Sequence, residues 1–401
     1  MPLDFYQLDQ RLENYQSLWR YEAFHCRLGE SLAWQKQYPE LSAWIEQLQP
    51  EEIAHYKSDL ADLYAQVASF FPNQELDWLA PDLMKVEPTS YPALTLPRGI
   101  DTGIPGRKQA QILAMGSAVI HQHQGKEWLE WCAGKGFLGR ILASQSQQTV
   151  TSFEFQATLC TSGQREADYL ALPMSFIQGD AFSAEADAIF HDQQHAVALH
   201  ACGDLHTTLL QKVVQFGLPA VTISPCCYHL IRDETYQPIS QIGQRSQLAL
   251  TQQELRIPLQ ETVTGGERVK RHRFQEMSYR LGFDQLLLAE LGLSKYQPLP
   301  SVKKSMLSEG FAAFCHWGAE QKQLILPQND ITTYQQLGEK RFWRMERLSL
   351  LQDLFRRPLE LWLAMDRVHY LREQGYTVAL SEFCARETTP RNLLIHAELN
   401  Q

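Results

Sequence analysis

Apolar residues recur at three- and four-residue spacing through the first 95 positions. WRYEAFHCRL, SAWIEQL and HYKSDLADLYAQVASFF carry the pattern, so 1–95 is expected to be a helical N-terminal region. Pro50 followed by Glu51 and Glu52 marks a helix start, with acid near the positive end of the dipole. Pro81, Pro88, Pro92 and Pro97 then interrupt the periodicity and suggest a linker. From about 100 the texture changes. Short apolar runs (KEWLEWC, TVTSFEF, MSFIQG, AVALHAC, AVTIS) alternate with stretches long enough for a helix. Such alternation implies a parallel sheet with helices on both faces. After AVTIS it stops, and 228–357 reads as a mostly helical, polar insertion with a turn at Gly265-Gly266. The amphipathic PLELWLAMDRVHYLREQG ends at Gly375, a suitable C-terminal cap. YTVALSEF and RNLLIHAEL follow with a short gap, so they are expected to pair antiparallel. Five alternating strands and this hairpin predict an α/β, Rossmann-like seven-stranded sheet over 100–227 and 358–401, with 228–357 inserted in it.

Composition narrows the picture in a few places. A net charge of −10 argues against a surface that is basic all over. Local basic clusters remain at 268–273 (RVKRHR), 303–304, 340–347 (KRFWRMER) and 356–357, each equally readable as a solvated helix face. The eight cysteines are scattered and several sit in apolar contexts, which suits free thiols in a reducing compartment. No apolar run approaches the length of a membrane span, and MPLDFYQLDQRLENYQ does not read as a signal peptide. A cytoplasmic protein without membrane association is the expectation.

Gly134, Gly136 and Gly139 spell G-x-G-x-x-G after the first strand. Glycines there allow a sharp strand-to-helix turn and let a ligand approach the backbone. Alone, the pattern also fits an NAD or FAD oxidoreductase. Glu130, just before the turn, suits a cationic amino-acid end and suits a pyrophosphate poorly. Glu154 ends the second strand and can accept from both ribose hydroxyls, and Asp180 ends the third and can reach an adenine amino group. Three carboxylates on adjacent strand ends favour S-adenosylmethionine.

The ends of strands four and five, HACGDL and SPCCYH, should flank the transferred methyl group. Methyl transfer needs positioning and, for a hydroxyl or amine acceptor, a base. Asp204, His200 and His229 are candidate bases, and Tyr228 is a candidate to stack on or hydrogen-bond the substrate. Cys226 and Cys227 are placed at the substrate, against the simpler reading of small buried side chains at a tight turn. A zinc site from Cys202, Cys226, Cys227 and His229 is set aside, because adjacent cysteines are a poor chelate spacing, and no metal is expected. In the hairpin turn ARETTPRN, Arg386, Arg391 and Asn392 are candidate substrate contacts, unless the turn is bonded to itself. Arg107 and Lys108 stand at a helix start, where positive charge is unfavourable unless it meets an anion, so Lys108 joins the cofactor set.

CAGKGFLGRILA, HACGDLHTTLL, SPCCYH and the late TPRN turn together resemble the methyltransferase-domain group of the methyltransferase-like-25 and glutathione S-transferase C-terminal-domain-containing proteins. A more distant likeness is to tRNA 2′-O-methyltransferases with a Cys-Cys-His-His signature, although Tyr228 precedes His229 here. The resemblance covers about 100–230 and 358–400. It implies S-adenosylmethionine held by Glu130, Cys132, Gly134, Gly136, Glu154 and Asp180. The expected activity is methyl transfer to RNA, with the arginines of KRFWRMER on phosphates and Phe342 and Trp343 on bases. A protein or small-molecule acceptor and a catalytically silent adaptor are the alternatives.

Overall fold

The computed structural model describes residues 4–199, 201–260, 266–327 and 331–400, and its contacts divide them into two compact units. One unit comprises Met1–Glu13, Asp82–Leu259 and Arg357–Gln401. The other comprises Asn14–Pro81 and Gln260–Arg356.

The first unit is built on seven strands: β1 Glu127–Trp131, β2 Val150–Glu154, β3 Met174–Gln178, β4 Gln194–Ala198, β5 Ala220–Ile223, β6 Tyr376–Glu382 and β7 Leu393–Leu399. Six lie within runs read from the sequence, and β4 overlaps AVALHAC but starts two residues before it, at Gln194. Their order is β3-β2-β1-β4-β5-β7-β6. Strands β1 to β5 pair in parallel, and β7 runs antiparallel to both β5 and β6. The expected α/β, Rossmann-like seven-stranded sheet with its terminal hairpin is present. Strands β1 and β4 are buried almost throughout, because parallel strands are covered on both faces. Leu138, Ile141 and Leu142 of the Phe137–Ser146 helix and Ile112, Met115 and Val119 of the Gly106–His121 helix pack with Trp128, Val150 and Val197. Chain order reverses between β1 and β4, so the loops after these two strands flank the crevice where such sheets bind ligands.

Four features differ from the sequence reading. The proline-rich stretch is a packed strap. The N–H of Thr89 donates to Glu382 O at 2.8 Å, and the N–H of Glu382 donates to Glu87 O at 3.1 Å, which covers the outer edge of β6. Segment 228–259 holds only two 3₁₀ turns, Gly243–Arg245 and Glu254–Leu259, and belongs to the sheet unit. It is fastened to the late helix by the fully buried Asp366, which accepts the Tyr236 hydroxyl at 2.6 Å, the Ser240 hydroxyl at 2.6 Å and two backbone N–H groups. That helix itself begins earlier than expected, running Thr332–Glu373 through Pro358. The N-terminal helix Phe5–Asn14 also starts in the sheet unit, with Phe5 against Trp362 and Asp9 accepting the Trp362 indole N–H at 2.8 Å.

In the second unit, Tyr279, Phe283, Leu286 and Leu287 of the Glu267–Leu291 helix pack on Leu307, Phe311, Phe314 and Cys315. KRFWRMER is an internal element here. Arg341 is 1 % exposed and pairs with the buried Asp284. Arg344 pairs with Glu46, and Arg347 donates to Leu48 O. Phe342 is buried, and Trp343 packs on Phe274. The expectation that this segment presents arginines and aromatics to RNA is therefore corrected: the apolar residues between the arginines turn them inward. Among the described residues, no helix is long and apolar enough to cross a membrane.

Candidate functional site

The turn after β1 puts three residues in left-handed backbone within five positions: Cys132 (φ +56°), Gly134 (φ +60°) and Gly136 (φ +68°). The Ala133 N–H donates to Phe153 O at 3.0 Å, and the Gly136 N–H donates to Ala133 O at 2.9 Å. The three glycines serve different ends. A Cβ on Gly136 would lie 2.5 Å from the Phe176 ring, and one on Gly139 would collide with the Glu130 carboxylate, so both are packing requirements. A Cβ on Gly134 would meet nothing within 4 Å. Gly134 is thus where the loop leaves bare backbone against open space, the property a ligand cradle needs.

The carboxylates separate in the same way. Glu130 is buried, and its oxygens accept the Gly139 N–H at 3.0 Å and the Ser152 hydroxyl at 2.7 Å. Burial pushes its carboxyl up to about 7, opposed by those two donors and by Arg140. The expected contact with a cationic ligand is corrected here: Glu130 is committed to the protein and holds strand and helix together. Glu154 accepts the N–H of Gly134 and of Gln156, each at 2.9 Å, and so stands directly at the bare backbone. Asp180 is exposed one strand further on and accepts the Phe182 N–H at 2.9 Å. Burial pushes the Cys132 thiol up to about 12, with Glu154 and Cys202 adding to it. Lys108 is exposed on the first turn of the Gly106–His121 helix.

Across the crevice, β4 and β5 continue into a bridge between Cys202 and Cys226. The Gly203 N–H donates to Cys226 O at 3.1 Å. Gly203 has φ +58°, and a Cβ there would collide with Leu230 O, so glycine is obligatory. The Cys202 and Cys226 sulfurs are 3.6 Å apart, and with Cys227 all three lie within 4.8 Å of one another. Pairing of the strand ends, invisible in the local spacing, brings these thiols together. Thiol hydrogen bonds from Cys202 and Cys226 hold Cys227 well below the usual thiol range, with Arg391 and His229 adding to the effect. Asp204 is half-buried at the start of the Asp204–Gln215 helix and accepts the Arg232 N–H at 2.8 Å. His229 is half-buried, with its Nδ1 buried and without a hydrogen-bond partner. Burial, Arg256 and Arg391 lower its pKa, against Cys227, which raises it.

Several expected substrate contacts are placed otherwise. Tyr228 is 1 % exposed with Arg367 over its ring at 5.2 Å, so it offers no face for stacking. Asn392 is buried and donates to Cys384 O at 2.9 Å, which bonds the hairpin turn to itself. Arg386 is exposed on that turn, whereas Arg391 is half-buried and its carbonyl accepts the Ser224 hydroxyl at 3.3 Å. His200 lies outside the described residues. Two structural residues went unread. His206 is fully buried, its Nε2 2.9 Å from Cys226 O and 3.2 Å from Cys226 N. Arg367 is buried between Tyr228 and Tyr236. The i, i+4 spacing of Cys202 and His206 was a weak available signal for the first.

Residues 107–234 match a family model described as a methyltransferase domain. No curated protein matches the chain. Among solved structures it is similar to a Pyrococcus abyssi tRNA (uracil-54, C5)-methyltransferase in complex with S-adenosyl-L-homocysteine, at 15 % identity and TM-score 0.25, covering 28 % of each chain. It is also similar to an Aquifex aeolicus SAM-dependent methyltransferase, at 13 % identity and TM-score 0.25, covering 32 % of this chain and 72 % of that one. The matched segment holds β1 to β5, the glycine loop and the paired ends of β4 and β5. Residues 107–234 therefore match a methyltransferase domain over the segment that carries the parallel strands and the glycine loop.

Proposed function

We propose that this chain transfers a methyl group from S-adenosylmethionine to RNA. The observation that carries the cofactor half is Gly134: a left-handed glycine facing open space, with its N–H held by Glu154. Residues 132–136 would hold the amino-acid end of the cofactor, Glu154 the ribose hydroxyls and Asp180 the adenine. The bound sulfonium supplies the methyl group and a good leaving group, so the protein's part is alignment and proton removal. Asp204, at the start of the helix that follows β4, is the base for a hydroxyl or amine acceptor, with His229 beside the cysteine turn as the other candidate. Glu130 acts by holding the turn in shape.

The RNA half rests on the start of the Glu267–Leu291 helix. Arg268 and Arg271 are exposed there, beside Lys270, which pairs with Glu267 at 2.9 Å, and positive charge at a helix N-terminus opposes the dipole. An anionic partner offsets that cost, and a phosphate backbone presents such charges in series. The test is incubation of the purified chain with methyl-tritiated S-adenosylmethionine and fractionated RNA, protein and small molecules. Label is expected in RNA. Label confined to protein overturns the acceptor. Thermal stabilisation by NAD but not by S-adenosylhomocysteine overturns the cofactor assignment.

A further inference from the structure

We propose that Cys202, Cys226 and Cys227 form a three-thiolate site for a zinc ion at the carboxyl ends of β4 and β5. Tetrahedral zinc with metal–sulfur distances of about 2.3 Å sets its sulfurs about 3.8 Å apart. The Cys202 and Cys226 sulfurs are already 3.6 Å apart, and the third is within 4.8 Å of both. Small side-chain rotations complete the geometry.

The objection to adjacent cysteines as ligands is that neighbouring residues of an extended chain point to opposite sides. This chain removes it at Cys227, whose φ of +47° is left-handed, a conformation that costs a non-glycine residue roughly 1–2 kcal/mol. The turn lets both neighbours face Cys202. The backbone of the turn is fixed by the Gly203 N–H on Cys226 O, by His206 on the main chain of Cys226, and by the Leu230 N–H on Cys227 O. The site is therefore prebuilt, as metal affinity requires. A disulfide between Cys202 and Cys226 would leave Cys227 and its strained backbone unexplained. Arg391 lies close enough to act electrostatically on Cys202 and Cys227, which balances the net negative charge of zinc with three thiolates. Binding exchanges up to three thiol protons, released to solvent, for the ion. Three protein ligands leave a fourth position open, the arrangement of zinc sites that take a water or substrate.

The experiment is elemental analysis of the full chain expressed with zinc supplementation and dialysed without chelator, where about one zinc per chain is expected. Replacement by cobalt should give thiolate-to-cobalt charge-transfer absorption. Cys202→Ser, Cys226→Ser and Cys227→Ser should each lose most of the metal, and Cys384→Ser should keep it. Absence of zinc from folded wild-type chain, or full zinc in Cys226→Ser, overturns the site. Because those variants can fail to fold, wild-type chain stripped of metal provides the second measurement. Added zinc should slow alkylation of the three cysteines and leave Cys384 unchanged, whereas equal alkylation overturns the proposal.

Discussion

The Glu130 carboxylate accepts the backbone N–H of Gly139 at 3.0 Å, tying the end of β1 to the first turn of the helix that follows the glycine loop. Burial raises this carboxyl from 4.5 to about 7 in the folded chain. A folded-state pKa above the unfolded one contributes stability that is full below about 4.5 and is lost as pH rises through about 7. Between pH 5.5 and 8 the wild-type chain should lose about 2 kcal/mol through this group. Glu130→Gln keeps an acceptor for Gly139 and cannot ionise, so its stability relative to wild type should rise by that amount over the interval. Denaturant unfolding at both pH values measures it, and parallel pH profiles for the two proteins would refute the account.

Gly134 and Gly136 share a backbone conformation and differ in what lies before them. Gly134→Ala should cost only the left-handed strain, roughly 1–2 kcal/mol. Its methyl group enters the open space, so affinity for S-adenosylhomocysteine should fall at least about tenfold. Gly136→Ala adds a collision with Phe176 and should cost about 2–4 kcal/mol of stability. Calorimetric titration and denaturant unfolding of both variants separate the effects. Unchanged affinity in folded Gly134→Ala would remove the ligand from this loop.

The sheet was legible because its strands carry their own signal. Buried parallel strands such as Trp128–Trp131 and Ala196–Ala198 read as short apolar runs, and the turn glycines punctuate them. The place of Glu154 at the end of β2 was legible in the same way. What was not legible depends on contacts between segments far apart in the chain. Glu130 and Glu154 look alike in sequence, and only the packing of Ser152 and Gly139 around the first makes it structural. The three cysteines meet because β4 and β5 are neighbours. KRFWRMER reads as a basic surface until Asp284, 57 residues earlier, is placed against Arg341.

His195 is fully buried and its pKa is pushed well below 6.5 by burial, with His396 and His123 adding to it. Its Nδ1 lies 3.2 Å from that of His123, and its Nε2 lies 2.9 Å from Thr222 Oγ1. Thr222 Oγ1 in turn is 2.7 Å from His396 Nδ1, and His396 Nε2 is 2.9 Å from Glu398. A folded pKa below the unfolded one gives stability that is present above about 6.5 and lost as pH falls. From pH 7 to 5 the unfolding free energy should therefore fall through His195. His195→Gln cannot take up a proton there. Its unfolding free energy should fall less steeply over this interval, whatever its absolute value, and an unchanged slope would show that His195 does not titrate.

The two basic segments of the second unit should respond oppositely to substitution. Arg341→Ala leaves Asp284 buried with Arg27, at 3.8 Å, as its remaining ion pair among the described residues, and should cost about 3–5 kcal/mol of stability. Arg268→Glu with Arg271→Glu alters exposed positions and should leave stability within about 0.5 kcal/mol of wild type. If the Glu267–Leu291 helix start meets phosphates, that same pair should weaken RNA binding and flatten its dependence on salt. Loss of two contacts to single-stranded RNA lowers the slope of log affinity against log salt by about 1.4. Binding titrations across a salt series read this directly. A double variant with unchanged affinity and slope would show that these arginines are a solvated helix face, and would leave the RNA acceptor without its structural support.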